Sequence, residues 1–327
     1  MLPTEFLYSK CVPWRAVIEL TNFCYFNCVH CYHNNHKKCR QELSKSEIFQ
    51  IIDELYNLSC FQITLSGGEA TAHPDLDEII LYAINKGISV QLLSNGFNIK
   101  EALKSFDKYS SLFKVDISLM GNEKKHNLIT NSNSFDTVIE SILFLKACGV
   151  KVSINTVIMQ QNFDDIDFLN DFAKKYQIPW NHTIYIYGDN EYKFRLTDIQ
   201  IEEYFKKFPA ELNFAKTCKN CSQDETCNVG RTSLHIDCTG NVYPCSWYKL
   251  CIGSVRSNSL KDIWTSNLIL DRVRETKLFS KQCLQCEFNA FCKKCPGYAL
   301  IESGSDLPPK EYCRISKIKG TLLKYYG

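Results

Sequence analysis

The chain has 327 residues, of which 45% are hydrophobic, 23% charged and 13% aromatic, enough apolar material for a buried core and too much for a disordered tail. Against a typical domain of ~150 residues this length predicts about two domains. Lys plus Arg is 38 and Asp plus Glu is 36, leaving a formal charge of +2 and no general attraction for nucleic acid.

The first ten residues lack the basic and apolar regions of a secretory signal. No stretch approaches the ~18 apolar residues of a membrane helix, so a cytoplasmic protein without membrane contact is expected. From residue 14 to about 212, short β-rich runs alternate with helical periodicity. Strands are predicted at 16–20, 61–65, 89–93, 113–119, 151–159 and 182–187, and helices at 44–58, 74–85, 99–109, 134–148 and 164–176. Several helices open on Ser or Asp, and Gly87 and Gly149 sit where helices end. Strand and helix repeated at this spacing predict parallel βα units, because each crossover needs a helix to bring the chain back. The expected class is α/β, a partial barrel with its chemistry at the carboxyl ends of the strands.

The character changes near residue 215, which divides the chain into 1–215 and 216–327. Eleven of the 18 cysteines lie from Cys218 to Cys313. Strand signals there shrink to a hairpin around 237–244, helical stretches are brief, as at 260–275, and the Lys-rich end from 315 to 327 is expected to be a surface helix or tail. In a reducing compartment such thiols are metal ligands or reactive groups more often than disulfides.

The first strand is followed by Cys24-Tyr-Phe-Asn-Cys28-Val-His-Cys31. Three thiolates this close can each hold one corner of a cubane and leave the fourth iron free. The alternatives are three buried thiols, or a zinc site completed by His30, His33 or His36. In the second region Cys221, Cys227, Cys245, Cys283, Cys286, Cys292, Cys295 and Cys313 suit two four-thiolate clusters, with Cys218 and Cys251 as spares. Their C-x2-C pairs are also zinc-ribbon spacing, and spacing alone does not separate the two.

The C-x3-C-x2-C loop resembles the signature of the radical S-adenosylmethionine (radical SAM) superfamily, with His30 in its aromatic position. Ser66-Gly67-Gly68-Glu69 resembles the family's Gly-Gly-Glu motif, and Ser94-Asn95-Gly96 its Ser/Thr-Asn-Gly. The resemblance implies a partial (β/α)6 TIM-like barrel and a 4Fe–4S cluster on Cys24, Cys28 and Cys31 whose open iron chelates SAM. An electron then cleaves SAM to methionine and a 5′-deoxyadenosyl radical. It assigns SAM contacts to His30, Gly67, Gly68, Glu69, Ser94, Asn95, Ser118 and Asn155, with Thr156 beside them. His126 fits the His that follows the fourth strand, and Thr130 stands near the place where relatives carry an Arg for the SAM carboxylate.

Residues 234–247, Leu-His-Ile-Asp-Cys-Thr-Gly-Asn-Val-Tyr-Pro-Cys-Ser-Trp, look like the start of a SPASM domain, a small cysteine-rich module with short hairpin and helices that carries auxiliary iron–sulfur clusters. By that resemblance Cys221, Cys227, Cys245 and Cys295 hold the first auxiliary cluster and Cys283, Cys286, Cys292 and Cys313 the second. Only two residues separate Cys292 from Cys295, where relatives often have three, so Cys218 is a substitute ligand. Three 4Fe–4S clusters and SAM are thus the implied cofactors.

Such enzymes mostly modify peptides. Two auxiliary centres favour net oxidation, hence a thioether or carbon–carbon cross-link in a ribosomally made peptide. A sulfatase-maturing enzyme usually has Asp directly after the Cys245 position, where this chain has Ser246. The runner-up is an epimerase or dehydrogenase of a peptide or amino sugar, with Cys251 as candidate hydrogen donor. The rival of another class is a noncatalytic zinc or Fe–S protein. Only 23 residues precede Cys24, too few for a winged-helix leader binder, so a separate recognition protein or a groove on the barrel is expected, along with a donor such as flavodoxin or ferredoxin. Tyr185 and Tyr187, at the end of the sixth strand, are candidate substrate contacts.

Overall fold

The structure, a computed structural model, describes residues 4–31, 39, 41–109, 111–187, 192–212, 227–275, 281–292, 295–304 and 307–326. Six strands, β1 (Arg15–Glu19), β2 (Gln62–Ser66), β3 (Ser89–Ser94), β4 (Phe113–Ser118), β5 (Lys151–Val157) and β6 (Trp180–Thr183), are all parallel to their neighbours. β7 (Ser233–Ile236), β8 (Asn241–Tyr243) and β9 (Gly253–Ser254) continue the same sheet, in the order β6-β5-β4-β3-β2-β1-β7-β8-β9.

Period-two patterning builds the strands. Ile63, Leu65, Val90, Leu92, Val115 and Ile117 are buried in the main core, on the face covered by the crossover helices. The helix Lys45–Asn57 starts at a Ser44–Glu47 capping box and buries Ile48, Ile51, Ile52 and Leu55, each contributing roughly 1.5–3 kcal/mol. The opposite, inner face is polar. Gln62 donates to Gln91 (2.7 Å), Gln91 to Asp116, Ser153 to Asp116 (2.5 Å) and Asn181 to Asn155 (3.0 Å), a ladder from β2 to β6.

The structure corrects the expected elements in four places. The helix at 99–109 stops at Ala102, because Asp77 takes Lys104 N, Ser105 N, Ser105 Oγ and the Tyr109 hydroxyl and holds that segment as turns. The sixth strand is Trp180–Thr183, and 184–187 leave the sheet, with Ile184, Tyr185 and Tyr187 in the cluster that holds Tyr298 and Tyr312 and Ile186 turned back onto Met120 and Met159. An unexpected parallel pairing joins β7 to β1. The last helix, Lys310–Tyr326, is not a surface tail: Tyr312, Ile315 and Leu322 are buried, and Lys319 donates to Glu211 O at 2.9 Å with its ammonium over the Phe205 ring.

Candidate active site

The carboxyl ends of β1, β2 and β3 meet around the first cysteine loop. Gly68 N donates to Thr21 O and Glu69 N to Phe23 O, both at 2.7 Å. A Cβ on Gly68 would stand 2.3 Å from Asn22 O, and one on Gly67, whose φ is +137°, 2.4 Å from Thr21 O. The two glycines are therefore required for the β2 turn to lie against the cysteine loop. Glu42, which the sequence reading passed over, clamps both ends of that loop: Thr21 Oγ1, Asn22 N and Cys39 N donate to its Oε1 at 2.9, 2.9 and 3.1 Å. A single Glu carries no sequence signal for this role.

Glu69 is buried, and its carboxylate accepts from Thr71 N (3.1 Å), Thr71 Oγ1 (2.8 Å), Ser94 Oγ (2.8 Å) and Asn95 N (2.6 Å). Three of these donors converge on Oε1 and only Asn95 N reaches Oε2. Glu69 braces the β2 turn to the end of β3, and burial raises its pKa despite those bonds. Asn95 also points its side-chain amide at Cys24 Sγ, 3.7 Å away. Cys24, Gly67, Gly68, Glu69, Ser94 and Asn95 thus form one constellation. Ser118 and Asn155 are opposed in the β4–β5 register, and Asn155 is engaged by Asn181 at 3.0 Å. Thr156 is buried between Leu119 O and Trp180 Nε1, a position for holding strands together. His126 is equally structural: its ring sits between Met120 N and Ser134 Oγ, and burial lowers it to about 4. Thr130 donates to His126 O.

Burial pushes the Cys24 thiol up to about 11, with Glu69 and Cys31 adding to it. Cys28 is pushed up to about 12 by burial and then by Cys31 and Cys24. The three thiols stand within each other's fields, and only a bound cation would make thiolates of them near neutral pH. His30 is lowered to about 4 by burial, and its Nδ1 is buried without a hydrogen-bond partner. Soft donors and an unsatisfied polar atom beside them fit a metal centre with a polar ligand. Among the described residues no three His, Cys, Asp or Glu side chains converge on a single-ion site; a cluster that binds one thiolate per iron does not ask for that convergence. His33 and His36 lie outside the described residues.

The second region sorts its cysteines into two groups. Cys227 is pushed up to about 12 by burial and then by Cys245 and Cys295. Cys295 caps the helix Pro296–Ser303, accepting from Tyr298 N at 3.4 Å, a bond that favours the thiolate but is outweighed by burial, which raises the thiol's pKa. Gly297 lets that helix press on the loop after Cys245: a Cβ there would meet Trp247 O at 2.5 Å. In the other group Cys313 is raised by burial and then by Cys292, Cys283 and Cys286, and these four line one cavity of about 230 Å³ with Phe288 and Pro308. Cys218 and Cys221 lie outside the described residues. Cys251 is exposed on the outer hairpin.

Between the two groups the tyrosines after β6 meet the second region. Tyr187 stacks on Trp247 (3.7 Å) and shares a hydrogen bond of 2.7 Å with Tyr312, while Tyr185 stacks on Tyr312 at 4.4 Å. These contacts link the β6 side of the barrel to the loop after β8. Gly188 and Asp189 lie outside the described residues.

A six-stranded parallel partial barrel with three cysteines after its first strand, followed by a short cysteine-rich hairpin region, defines the class of cluster-binding radical enzymes. Residues 18–173 match the Radical SAM superfamily and residues 227–296 match SPASM, an iron–sulfur cluster-binding domain. The two matches together span more than half of the chain, which belongs to the radical SAM superfamily and carries a SPASM region. It is 24% identical over 330 residues to the AdoMet-dependent heme synthase of Methanosarcina barkeri, covering 90% of this chain and 94% of that protein. It is 25% identical over 305 residues to the mycofactocin maturase MftC of Mycolicibacterium smegmatis, covering 86% and 76%. Its fold is that of Streptococcus suis SuiB bound to precursor peptide SuiA, with a TM-score of 0.76 at 18% identity over 93% of this chain and 76% of SuiB. Among the described residues no helix is long and apolar enough to cross a membrane.

Proposed function

We propose that this chain is a radical SAM maturase that forms an oxidative cross-link, thioether or carbon–carbon, in a ribosomally made peptide. The cluster it would hold on Cys24, Cys28 and Cys31 supplies an electron for reductive cleavage of SAM to a 5′-deoxyadenosyl radical. Two further 4Fe–4S clusters would be held by Cys221, Cys227, Cys245 and Cys295 and by Cys283, Cys286, Cys292 and Cys313. Glu69, Ser94 and Asn95 set the wall beside Cys24. Gly67, Gly68, His30, Ser118 and Asn155 complete the SAM site. The domains are 1–215 and 216–327, and an electron donor of the flavodoxin or ferredoxin type and a leader-recognition protein would be its partners.

The observation that carries this reading is the separation of seven second-region thiols into two groups, each in its own electrostatic neighbourhood. Two redox centres give the electron of an oxidised substrate radical a way out. The likeness to MftC and to peptide-bound SuiB supports a peptide substrate. A second reading, oxidation of a small molecule, is favoured by the likeness to a heme synthase over nearly the whole chain.

Anaerobic reconstitution with iron and sulfide counting tests the cofactors. About twelve irons with matching sulfide are expected for three cubanes; zinc without sulfide overturns the reading. Mass spectrometry of a precursor peptide encoded beside the gene, after co-expression, tests the reaction. Loss of two hydrogens supports the cross-link, unchanged mass favours epimerisation, and turnover of a porphyrin substrate instead favours the small-molecule reading.

A further inference from the structure

The inner face of the barrel is a trough rather than a packed core. Along β2, β3 and β5 the residues turned outward are buried, and those turned inward are half-buried or exposed. β6 adds Asn181, which is exposed. Gln62, Thr64, Gln91, Ser118, Ser153 and Asn155 make that wall polar.

One carboxylate lies in the middle of the wall. Asp116, on β4, is 5% exposed and is opposed to Leu93 of β3 and Ser153 of β5. Its Oδ2 accepts from Gln91 Nε2, and its Oδ1 accepts from Ser153 Oγ at 2.5 Å. Both donors are neutral. A carboxylate offers about four acceptor sites, so these bonds leave two open. Among the described residues no ion pair includes Asp116. Lys114, two residues earlier on the same face, is not paired with it, whereas Glu19, the other buried carboxylate of this face, has His235 Nε2 at 3.1 Å. A carboxylate withdrawn from water with no opposite charge beside it is costly. The fold itself does not ask for one, since Asn would fill the same volume, accept from Gln91 and donate to Ser153.

The position of Asp116 gives that charge a use. Asp116 and Ser153 are opposed one layer below Ser118 and Asn155, which are themselves opposed nearer the mouth. Two residues of strand span about 6.6 Å, so Asp116 lies one side-chain layer beneath the residues assigned to the SAM site. Its donors are held in turn: Gln62 donates to Gln91 at 2.7 Å, and Asn181 Nδ2 lies 3.5 Å from Ser153 Oγ. The carboxylate is thus oriented before any ligand arrives, which lowers the entropic cost of binding one.

We propose that Asp116 is the recognition group for the cationic end of a basic side chain, Lys or Arg, of the peptide substrate, which enters the trough from the mouth and supplies the counter-charge. This deepens, and rests on, the peptide reading given under Proposed function. Two open acceptor sites suit an ammonium as a point charge or a guanidinium as a fork. The same charge disfavours the small-molecule reading, because the carboxylates of a porphyrin would meet a like charge there.

Binding can be measured without turnover. Nα-acetyl-lysine amide and Nα-acetyl-arginine amide are each offered to the full chain, reconstituted anaerobically with SAM, and saturation-transfer NMR compares them with the neutral Nα-acetyl-norleucine amide. At least one basic probe should bind about tenfold more tightly than the neutral one, the worth of one charge-assisted hydrogen bond. The stronger of the two identifies the head group. Asp116→Asn should abolish the preference. Leu93→Lys, which sets an ammonium opposite Asp116 within the chain, should exclude both basic probes and keeps the test valid if Asp116→Asn does not fold. Equal binding of the three probes, or a preference that survives these substitutions, overturns the assignment while leaving the clusters and the peptide reading standing. Failure of the peptide reading shows elsewhere, in the iron and sulfide count and in the mass of the co-expressed peptide.

Discussion

The loop bearing Cys24, Cys28 and Cys31 and the segment bearing Cys283, Cys286 and Cys292 are built on opposite principles. In the first, Leu20, Thr21 and Phe26 are buried, Gly68 and Glu69 donate to its backbone, and Glu42 holds both ends. In the second, none of the described side chains from 282 to 292 is buried, and the helices Lys281–Leu284 and Asn289–Phe291 have four and three residues. The barrel preforms the first site, whereas the second rests on the last helix through Phe288 and Phe291, whose rings lie against Gly320, and buries no described side chain of its own, so what its thiols bind adds to its fold. Metal should therefore be dispensable for the structure of one region and important for the other.

Replacing Cys24, Cys28 and Cys31 together with Ala should bring reductive SAM cleavage down to background. Iron should fall from about twelve to about eight per chain, with circular dichroism unchanged. Collapse of the fold would erase the contrast. Cys283→Ala with Cys313→Ala should remove about four irons and open the 281–292 segment to protease while the barrel stays resistant, as limited digestion and peptide mapping would reveal. Gly68→Ala should cost roughly 1–3 kcal/mol, because its Cβ would meet Asn22 O and Phe23 O at 2.3 and 2.4 Å. Thermal unfolding should show that loss together with reduced loading of the first cluster; a neutral result would mean the loop is not held by close backbone approach.

The smallest effect belongs to Arg256, which ties the second region to the helix Lys45–Asn57 through Glu47 at 2.7 Å. That guanidinium and the Ser44 cap lower Glu47 from 4.5 to about 2. A depressed carboxylate stabilises the fold above its unfolded value, so this contribution is present above about pH 4.5 and lost as pH falls toward about 2. The pair is partly exposed, and Arg256→Ala should cost under about 1 kcal/mol while returning Glu47 toward its ordinary titration, measurable by carboxyl-carbon resonance.

β1 to β5 and the crossover helices were legible because alternating apolar residues and Ser, Asp and Gly boundaries act locally. The cysteine loop and the glycine turn were legible because spacing alone constrains their chemistry. What escaped depends on distant partners. Asp77 unwinds 103–109 from 26 or more residues away, and β7 is only four residues long, recognisable as a strand mainly through β1. The helix Asp198–Lys207 could have been found, since Thr197 and Gln200 form a capping box readable in sequence. Glu42 could not, because a single polar residue gains its meaning only when the sheet closes.

The most direct test of the central claim is electron paramagnetic resonance of the anaerobically reconstituted, reduced protein before and after SAM carrying a nitrogen-15 amino group is added. The account predicts a cluster signal that depends on Cys24, Cys28 and Cys31, shifts with SAM and acquires a nitrogen-15 coupling. A signal indifferent to SAM, or a protein that takes up zinc and no sulfide, would contradict it.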